Sequence, residues 1–266
     1  MLASRKHRQR TGTFMVEGIQ PVWQAIEAGA DVEQLLVAPG LLAGSPALQL
    51  LADPVAPVAY LTNELFTRLS TRDRPAGLAA VVRARPTNLE ELPVQDDSLF
   101  VALHLIGNPG NLGTIVRTAV STGVDAVLLL DHTADPYAPS AVRASMGAIF
   151  SVPVVHLPDA ETFLRWTREH AITVVTTSPN AERNHWTTGY PLPGALVLGG
   201  ERVGLPEELL ARGDLRVRIP MAGTTDSLNA AIAAGIMLYE MRRAHPMADR
   251  IWEFDRVGVS QPVVDR

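Results

Sequence analysis

The chain has 266 residues, of which 47% are hydrophobic, carries a formal net charge of -5 and contains no cysteine. The lack of cysteine excludes disulfides, thiolate catalysis and cysteine-ligated metal sites, and the length allows one large domain or two smaller ones, of which we favour two. The first residues are polar and basic, and no later segment is apolar for long enough to span a bilayer, so we expect a soluble, cytoplasmic protein with no membrane partner.

The charge is unevenly distributed along the chain. Up to Arg85 there are nine Lys and Arg residues against seven Asp and Glu, whereas the rest of the chain has fourteen against twenty-one. The basic excess comes from two short clusters, residues 5–10 and 67–75. Such clusters are either solvated surface or a contact for an acidic partner such as RNA, and composition leaves both interpretations open.

The N-terminal part has the pattern of a small α/β unit. Residues 14–42 predict a helix that runs into a buried strand, with Gly29 where the helix ends. Residues 58–70 predict a strand and a short helix, and residues 77–85 predict a closing strand. We therefore expect a first domain over residues 1–85.

A change of pattern follows this unit. Residues 86–97 have a proline near each end and acidic residues between, which predicts a linker before a second domain over residues 98–245 and a tail over 246–266. Five continuous apolar runs predict strands in the second domain: residues 99–106, 126–130, 172–177, 195–199 and 215–220. Strands that are apolar on both faces predict a mostly parallel sheet with helices on each side, whose ligand loops follow the carboxyl ends of the strands.

The first of these loops contains three glycines, Gly107, Gly110 and Gly113. Their spacing is G-x-x-G-x-x-G rather than the G-x-G-x-x-G of dinucleotide-binding proteins. A dinucleotide-dependent oxidoreductase is therefore a weak alternative.

The helix after this loop has an apolar face and a polar face. Asn111 is most simply interpreted as its N-cap, and Arg117 lies on the side away from the core, where a solvated arginine is the ordinary explanation. The core positions are Ile115, Val116, Ala119 and Val120.

The second and third loops are also rich in polar residues. Glu201 directly follows an apolar strand and two glycines. Ser227 or Asp226 is predicted to cap a long alanine-rich helix, whereas Asn229, just inside that helix, is unfavourable by propensity and needs another reason.

Together and in this order, the three loops resemble the motifs of the SpoU/TrmH-type RNA 2'-O-ribose methyltransferases of the SPOUT superfamily. The first motif, N-x-G-x-x-x-R, corresponds to Asn111 through Arg117, the second to residues 198–205 around Glu201, and the third to residues 219–229. The resemblance implies an α/β fold with a deep trefoil knot, a small N-terminal RNA-binding domain, and a homodimer. It also implies S-adenosylmethionine as the cofactor, contacted by residues of the second and third motifs: Leu198, Gly199, Gly200, Ile219, Met221, Ser227 and Leu228.

The catalytic residues implied by the resemblance are Asn111, Arg117, Glu201, Ser227 and Asn229. Arg117 is a poor general base because a guanidinium stays protonated, so we expect it to clamp a phosphate and stabilise charge on the attacking oxygen. We expect Glu201 to orient Arg117 or a backbone amide of a motif loop, and Asn111, Ser227 and Asn229 to hold the ribose and the loop geometry. No metal is expected, since the histidines form no ligand-spaced cluster.

The expected substrate is a ribose 2'-hydroxyl of structured RNA. Ribosomal RNA is preferred and transfer RNA is the alternative within this class. A non-catalytic RNA-binding protein is the alternative from another class, and intact motif residues argue against it.

Overall fold

The computed structural model describes residues 4–42, 50–201, 203–225 and 227–245. The tail over 246–266 and the candidate cap Asp226 lie outside these residues. In the part described, no helix combines the length and the apolar character needed to cross a membrane.

The N-terminal part forms a four-stranded sheet in the order β1-β4-β2-β3. Strand β4 is antiparallel to both β1 and β2, and β3 is parallel to β2. The strands are β1 (Thr13–Glu17), β2 (Val32–Val37), β3 (Val58–Tyr60) and β4 (Leu78–Arg83). The helices are α1 (Arg5–Thr11), α2 (Ile19–Glu27) and α3 (Asn63–Leu69), with a 3-10 turn at Pro39–Leu41.

The prediction for residues 14–42 is wrong at its start, where the chain forms strand β1 instead of a helix. Phe14 and Val16 are buried while Met15 is partly exposed, which is the period-two burial of a strand. Gly18 then has a φ of 116°, a left-handed value that lets the chain turn into α2. The helix begins only after that turn.

The C-terminal part forms a seven-stranded sheet in the order β7-β6-β5-β10-β8-β11-β9, and all its strand pairs are parallel. The strands are β5 (Leu99–His104), β6 (Ala126–Leu130), β7 (Val154–Leu157), β8 (Thr173–Thr177), β9 (Arg183–Asn184), β10 (Gly194–Gly199) and β11 (Leu215–Arg218). The helices are α4 (Pro109–Ser121), α5 (Pro139–Ser145), α6 (Ala160–Glu169), α7 (Glu207–Ala211) and α8 (Ala230–Ala244), with 3-10 turns at Leu89–Glu91, Ala148–Phe150 and His185–Thr187.

This sheet confirms the predicted α/β class and the five predicted strands, and it adds β7 and β9, which are too short to stand out in the sequence. Within β5, Val101 and Leu103 face the core under α4 and α8. Phe100 and Ala102 face the opposite core, under α6 and α7. Burial on both faces explains why the runs are continuously apolar.

The two sheets are joined by packing as well as by the chain. Leu89 and Leu92, from the segment predicted as a linker, are buried against the seven-stranded sheet. Val142 of α5 belongs to the core of the N-terminal sheet, and the rings of Phe14 and Tyr137 lie 4.6 Å apart. The N-terminal and C-terminal parts therefore share a packed apolar interface.

Candidate active site

The three polar loops follow the carboxyl ends of β5, β10 and β11. Strands β5 and β10 are neighbours in the sheet, paired from Gly194 and Leu99 to Gly199 and His104. Because the strands are parallel, their following loops leave the sheet at the same edge. The fold thereby brings together segments that lie far apart in the chain.

Helix α4 is capped by Asn108 rather than by Asn111. The Asn108 Oδ1 accepts hydrogen bonds from the backbone N–H groups of Gly110 at 2.8 Å and of Asn111 at 3.4 Å, and Pro109 occupies the first helical position. The interpretation of Asn111 as the N-cap is therefore wrong. Its side chain is left available for the other loops.

Asn111 joins the three loops through two hydrogen bonds. Its Nδ2 donates to Glu201 Oε1 at 2.6 Å, and its Oδ1 accepts from Asn229 Nδ2 at 3.1 Å. One residue from each loop thus contributes to a continuous series of hydrogen bonds from Asn229 through Asn111 to Glu201, which we call the loop chain. The bond to the carboxylate is charge-assisted, so it is the stronger of the two.

Asn229 is the N-cap of α8, which corrects the expectation that Ser227 or Asp226 caps this helix. Its Oδ1 accepts from the backbone N–H groups of Ala231 at 2.8 Å and Ile232 at 3.4 Å. Capping therefore explains the asparagine that helix propensity did not. The same amide also donates to Asn111, so it serves the helix and the loop chain together.

Arg117 is exposed on α4, as predicted, and no described residue accepts a hydrogen bond or ion pair from its guanidinium. Glu201 contacts Asn111 and not Arg117, so the expected orientation of Arg117 by Glu201 is not observed. Ser227 is exposed too, and within the described residues its hydroxyl has no hydrogen-bond partner. The structure therefore connects Asn111, Glu201 and Asn229 directly but leaves Arg117 and Ser227 facing solvent.

Strand pairing stops short beyond the carboxyl end of β8, between the second and third loops, and we call this place the pairing gap. Strand β10 pairs with β8 only as far as Val197, although it continues to pair with β5 up to Gly199. On the other side, β11 pairs with β8 as far as Val217. The last residues of β10 thus have an edge without a strand partner in the described part of the chain, which is a place where backbone groups can bind a ligand.

Two glycines of the second loop are required because other backbone atoms lie too close for a side chain. A Cβ on Gly199 would lie 2.2 Å from the Gly204 carbonyl carbon, and one on Gly200 would lie 2.3 Å from the Leu105 carbonyl oxygen. The Gly204 N–H also donates to the Gly200 carbonyl at 2.9 Å. The loop is therefore a tight turn packed against the end of β5.

A family model described as the SpoU rRNA Methylase family matches residues 98–239, more than half of the chain. The chain belongs to the SpoU rRNA methylase family. The resemblance inferred from the three motifs is thus confirmed. A second model, described as an MRM3-like substrate binding domain, matches residues 1–80.

The similarity to known proteins extends over nearly the whole length of this SpoU family member. The 23S rRNA (uridine(2479)-2'-O)-methyltransferase of Streptomyces viridochromogenes is 32% identical over 249 residues, covering 91% of this chain and 87% of that protein. The SpoU methyltransferase AviRb from Streptomyces viridochromogenes, solved with AdoMet, has a TM-score of 0.84 at 32% identity and covers 91% of this chain and 94% of its own. An AdoMet-bound rRNA methyltransferase from Sinorhizobium meliloti has a TM-score of 0.81 at 35% identity and covers 91% of both chains.

The residues of this SpoU family member that are expected to contact the cofactor offer two kinds of group, which are apolar side chains in the third motif and backbone groups in the second. Ile219, Met221 and Leu228 are half-buried around the third loop, so they offer apolar surface at its opening. The Leu198 side chain is buried in the core under α8, so only its backbone can contact a ligand. Gly199 and Gly200 likewise offer backbone groups alone.

His104 was missed at the sequence level, although it is the one polar side chain in the run of β5. It is 8% exposed, and its Nε2 lies 3.3 Å from Asp131 Oδ2. Burial lowers its pKa, and the Asp131 charge opposes that shift only in part. A single polar residue at the carboxyl end of an apolar strand was the available signal.

The described residues contain no group of three or more His, Cys, Asp or Glu side chains that could hold a metal ion. The polar groups that converge here are two amides and one carboxylate. They can position a polar substrate by hydrogen bonding.

Proposed function

We propose that this SpoU family member transfers a methyl group from S-adenosylmethionine to a ribose 2'-hydroxyl of ribosomal RNA. The observation that carries the proposal is the hydrogen-bonded chain of Asn229, Asn111 and Glu201, which joins the three motif loops at one edge of the sheet. The nature of the reaction and of the RNA is supported by relatives that are named as rRNA 2'-O-methyltransferases over most of this chain.

S-adenosylmethionine is the cofactor that the residues around the pairing gap fit. When bound, it supplies an electrophilic methyl group on a sulfonium. The backbone of Leu198, Gly199 and Gly200 and the half-buried side chains of Ile219, Met221 and Leu228 would hold it, with Ser227 at the exposed side of the third loop. Two of the similar solved structures contain this molecule, which supports the assignment.

The side chains of the loops position the attacking hydroxyl. Holding an oxygen in line with a reacting carbon contributes more than any proton transfer when the leaving group is already activated. Asn111 is fixed on both sides, by Glu201 and by Asn229, so its amide has little freedom. We assign this chain the role of fixing the loops around the ribose.

Arg117 is an exposed cation of the first motif that an RNA substrate can reach. Its guanidinium has no polar partner among the described residues, it stays protonated, and its fork fits a phosphate. We assign it a phosphate next to the target ribose and the stabilisation of negative charge on the 2'-oxygen. The hydroxyl proton then leaves to water or to a phosphate oxygen.

A homodimer is part of the proposal, and α8 supports it. Ile232 and Tyr239 are apolar side chains on α8 that are 56% and 57% exposed, and the small residue Gly235 lies on the same helix. Small and apolar residues together let a second helix approach closely. We also infer the trefoil knot, which membership of the SpoU family supports.

We further propose a division of labour between residues 1–85, which bind the RNA, and residues 98–245, which hold the cofactor and the reacting ribose. The match of residues 1–80 to a substrate binding domain supports this assignment. An rRNA substrate also favours a location where ribosomes are assembled and used, which in a bacterial cell is the cytoplasm.

The experiment that tests the function is a map of 2'-O-methyl positions in total RNA from cells with and without the gene. We expect one ribosomal nucleotide to lose its methyl group and to regain it when wild-type protein is restored. A variant with Asn111→Ala serves as the control and should restore the methyl group only in part. Loss at a transfer RNA position would shift the substrate to tRNA, and no loss at any position would favour the non-catalytic alternative.

A further inference from the structure

The N-terminal helix α1 is fixed to the C-terminal part, beside the seven-stranded sheet, by a buried ion pair. Arg8 Nε and Nη2 both donate to Asp135 Oδ2, at 3.0 and 2.6 Å. The two side chains are only 6% and 13% exposed. A charged pair this buried is costly to break by removing one partner, so it holds the helix in a defined position.

Asp135 itself is held in place at the carboxyl edge of the sheet. It lies in the loop after β6, where its Oδ1 accepts from the Tyr137 backbone N–H at 2.9 Å. The neighbouring Ala134 N–H donates to the Ile106 carbonyl at 2.8 Å. Ile106 lies just before Asn108, the cap of α4. Helix α1 is therefore connected through one short loop to the segment that carries the first motif.

The exposed surface of α1 is positively charged. Arg5, Lys6 and Arg10 are exposed, the helix contains no acidic residue, and none of the three forms an ion pair with a described residue. Arg10 contacts His7, through Nη2 at 3.0 Å from Nδ1. This is concentrated positive charge on a chain whose net charge is -5.

Several other cations of the N-terminal part are already neutralised. Arg68 pairs with Glu64, and Arg83 pairs with Glu33. Within the described residues of this part, α1 therefore carries the densest group of cations without an acidic partner. It is also the helix that is fixed beside the catalytic loops.

We propose that α1 is a phosphate-binding arm, which holds the backbone of the substrate RNA where it leaves the catalytic loops, and that the Arg8 and Asp135 pair positions it. The inference rests on the proposed RNA substrate and adds to it a specific contact surface. An RNA backbone is the partner that fits, because three flexible cations on one helix match successive phosphates and need no shape complementarity. Arg8 and Asp135 act through the position of the helix and do not touch the RNA.

The test is the salt dependence of RNA binding by the full chain, measured by filter binding with a transcript of ribosomal RNA. A triple variant, Arg5→Ala with Lys6→Ala and Arg10→Ala, should bind at least ~10-fold more weakly at moderate salt. The slope of log Kd against log salt should fall by about 2, because each phosphate contact contributes roughly 0.7 to 0.9. Binding of S-adenosylmethionine should not change.

A matched control removes the same charge elsewhere. Arg165, Arg168 and Arg212 are exposed and lie on or just after α6 and α7, which pack on the face of the seven-stranded sheet opposite to α4. Arg168 and Arg212 pair with Glu161, so this control matches the change in net charge and not the number of unpaired cations. Their triple alanine variant has the same net charge and should keep the wild-type slope. If both triple variants lose affinity equally, the effect is one of net charge and the arm is refuted.

The positioning role is tested with Asp135→Asn. Releasing α1 should reduce the slope nearly as much as the triple variant, and combining the two changes should add little, which is the signature of one shared function. Full additivity would refute the positioning role. If Asp135→Asn does not fold, the triple variant still decides the arm, and wild-type protein that binds no RNA at all would instead refute the proposed function.

Discussion

The N-terminal and C-terminal parts of the molecule use polar residues in opposite ways. In the C-terminal part, β5 and β6 are buried at every position, and the polar groups are concentrated where the strands end. In the N-terminal part, the sheet is partly exposed, and its charges lie in surface pairs such as Arg83 with Glu33. The contrast teaches that a completely buried sheet can hold a few polar groups rigidly at its edge, whereas a small mixed sheet offers charge over a surface.

The largest expected effect tests whether the two parts are independent at all. Phe14 is 2% exposed and its ring lies 4.6 Å from that of Tyr137 across the interface. Phe14→Ala should lower the free energy of unfolding by about 3 to 5 kcal/mol, because it leaves a cavity between the parts. Denaturant unfolding of the wild type and the variant, followed by fluorescence, should show a single transition in which both parts unfold together. Two separated transitions would show that each part unfolds alone.

Loss of the Arg117 guanidinium should have the next largest consequence, at the edge of the seven-stranded sheet where the polar groups lie. Arg117→Ala should lower the single-turnover rate of methyl transfer by roughly 10² or more, the scale for losing one preorganised donor. Cofactor affinity should survive, since its proposed contacts come from the other two loops. Arg117→Lys keeps the charge without the planar fork and should rescue little. An unchanged rate in Arg117→Ala would make this residue an ordinary solvated arginine.

Two asparagines at the start of α4 offer a matched pair. Asn111→Ala removes the hydrogen bond to the Glu201 carboxylate, for which about 1.5 to 3 kcal/mol is typical, so the rate should fall roughly tenfold or more. Asn108→Ala removes only the cap of α4 and should lower stability by about 1 kcal/mol with little change in rate at saturating ligands. Equal effects on rate would mean that the cap and the loop chain are not separable.

The smallest expected effect is on stability as a function of pH. Burial lowers the pKa of His104 below its usual value of about 6.5, so the unfolded chain binds the proton more readily than the folded one. This contribution is fully present above pH ~6.5 and is lost as the pH falls through the lowered folded-state pKa. Glu161 and Glu240 also have lowered pKa values, but their contributions are lost at lower pH, below about 4.5.

The measurement is urea unfolding between about pH 8 and about pH 5 for wild type and His104→Gln, a range that spans the usual histidine pKa. We expect the free energy of unfolding to decrease as the pH is lowered in the wild type, and to decrease less in the variant. An identical pH dependence would exclude His104 as the source of the effect.

The family and most strands could be predicted because their signals are local. A continuous apolar run such as residues 126–130 gives a buried strand directly, and the motifs lie in the correct order. The shorter β7 and the alternating β1 were missed or misassigned because a few residues give little periodicity. Helix α1 was interpreted only as a charged cluster, since its position depends on Arg8 meeting a carboxylate 127 residues away.

Three of the predicted site residues, Asn111, Glu201 and Asn229, are joined by hydrogen bonds that could not be predicted from the sequence. Asn108 and Asn111 are both plausible caps, and only the structure shows that Asn108 is used. The pairing of Asn111 with Glu201 spans 90 residues, and no local rule links them. Capping by Asn229 was missed because α8 begins later in the chain than a cap at Ser227 would place it.

The double use of the Asn229 amide links the architecture to the chemistry. Its oxygen fixes the first turn of α8 and its nitrogen holds Asn111, so any force that frays or clamps that turn also changes the freedom of the loop chain. Ile232, whose N–H donates to the cap, is also one of the exposed apolar residues of α8. A contact that covers this surface would therefore change the mobility of the loop chain as far as Glu201. By thermodynamic reciprocity, a substrate that restricts the loop chain would strengthen the contact at α8.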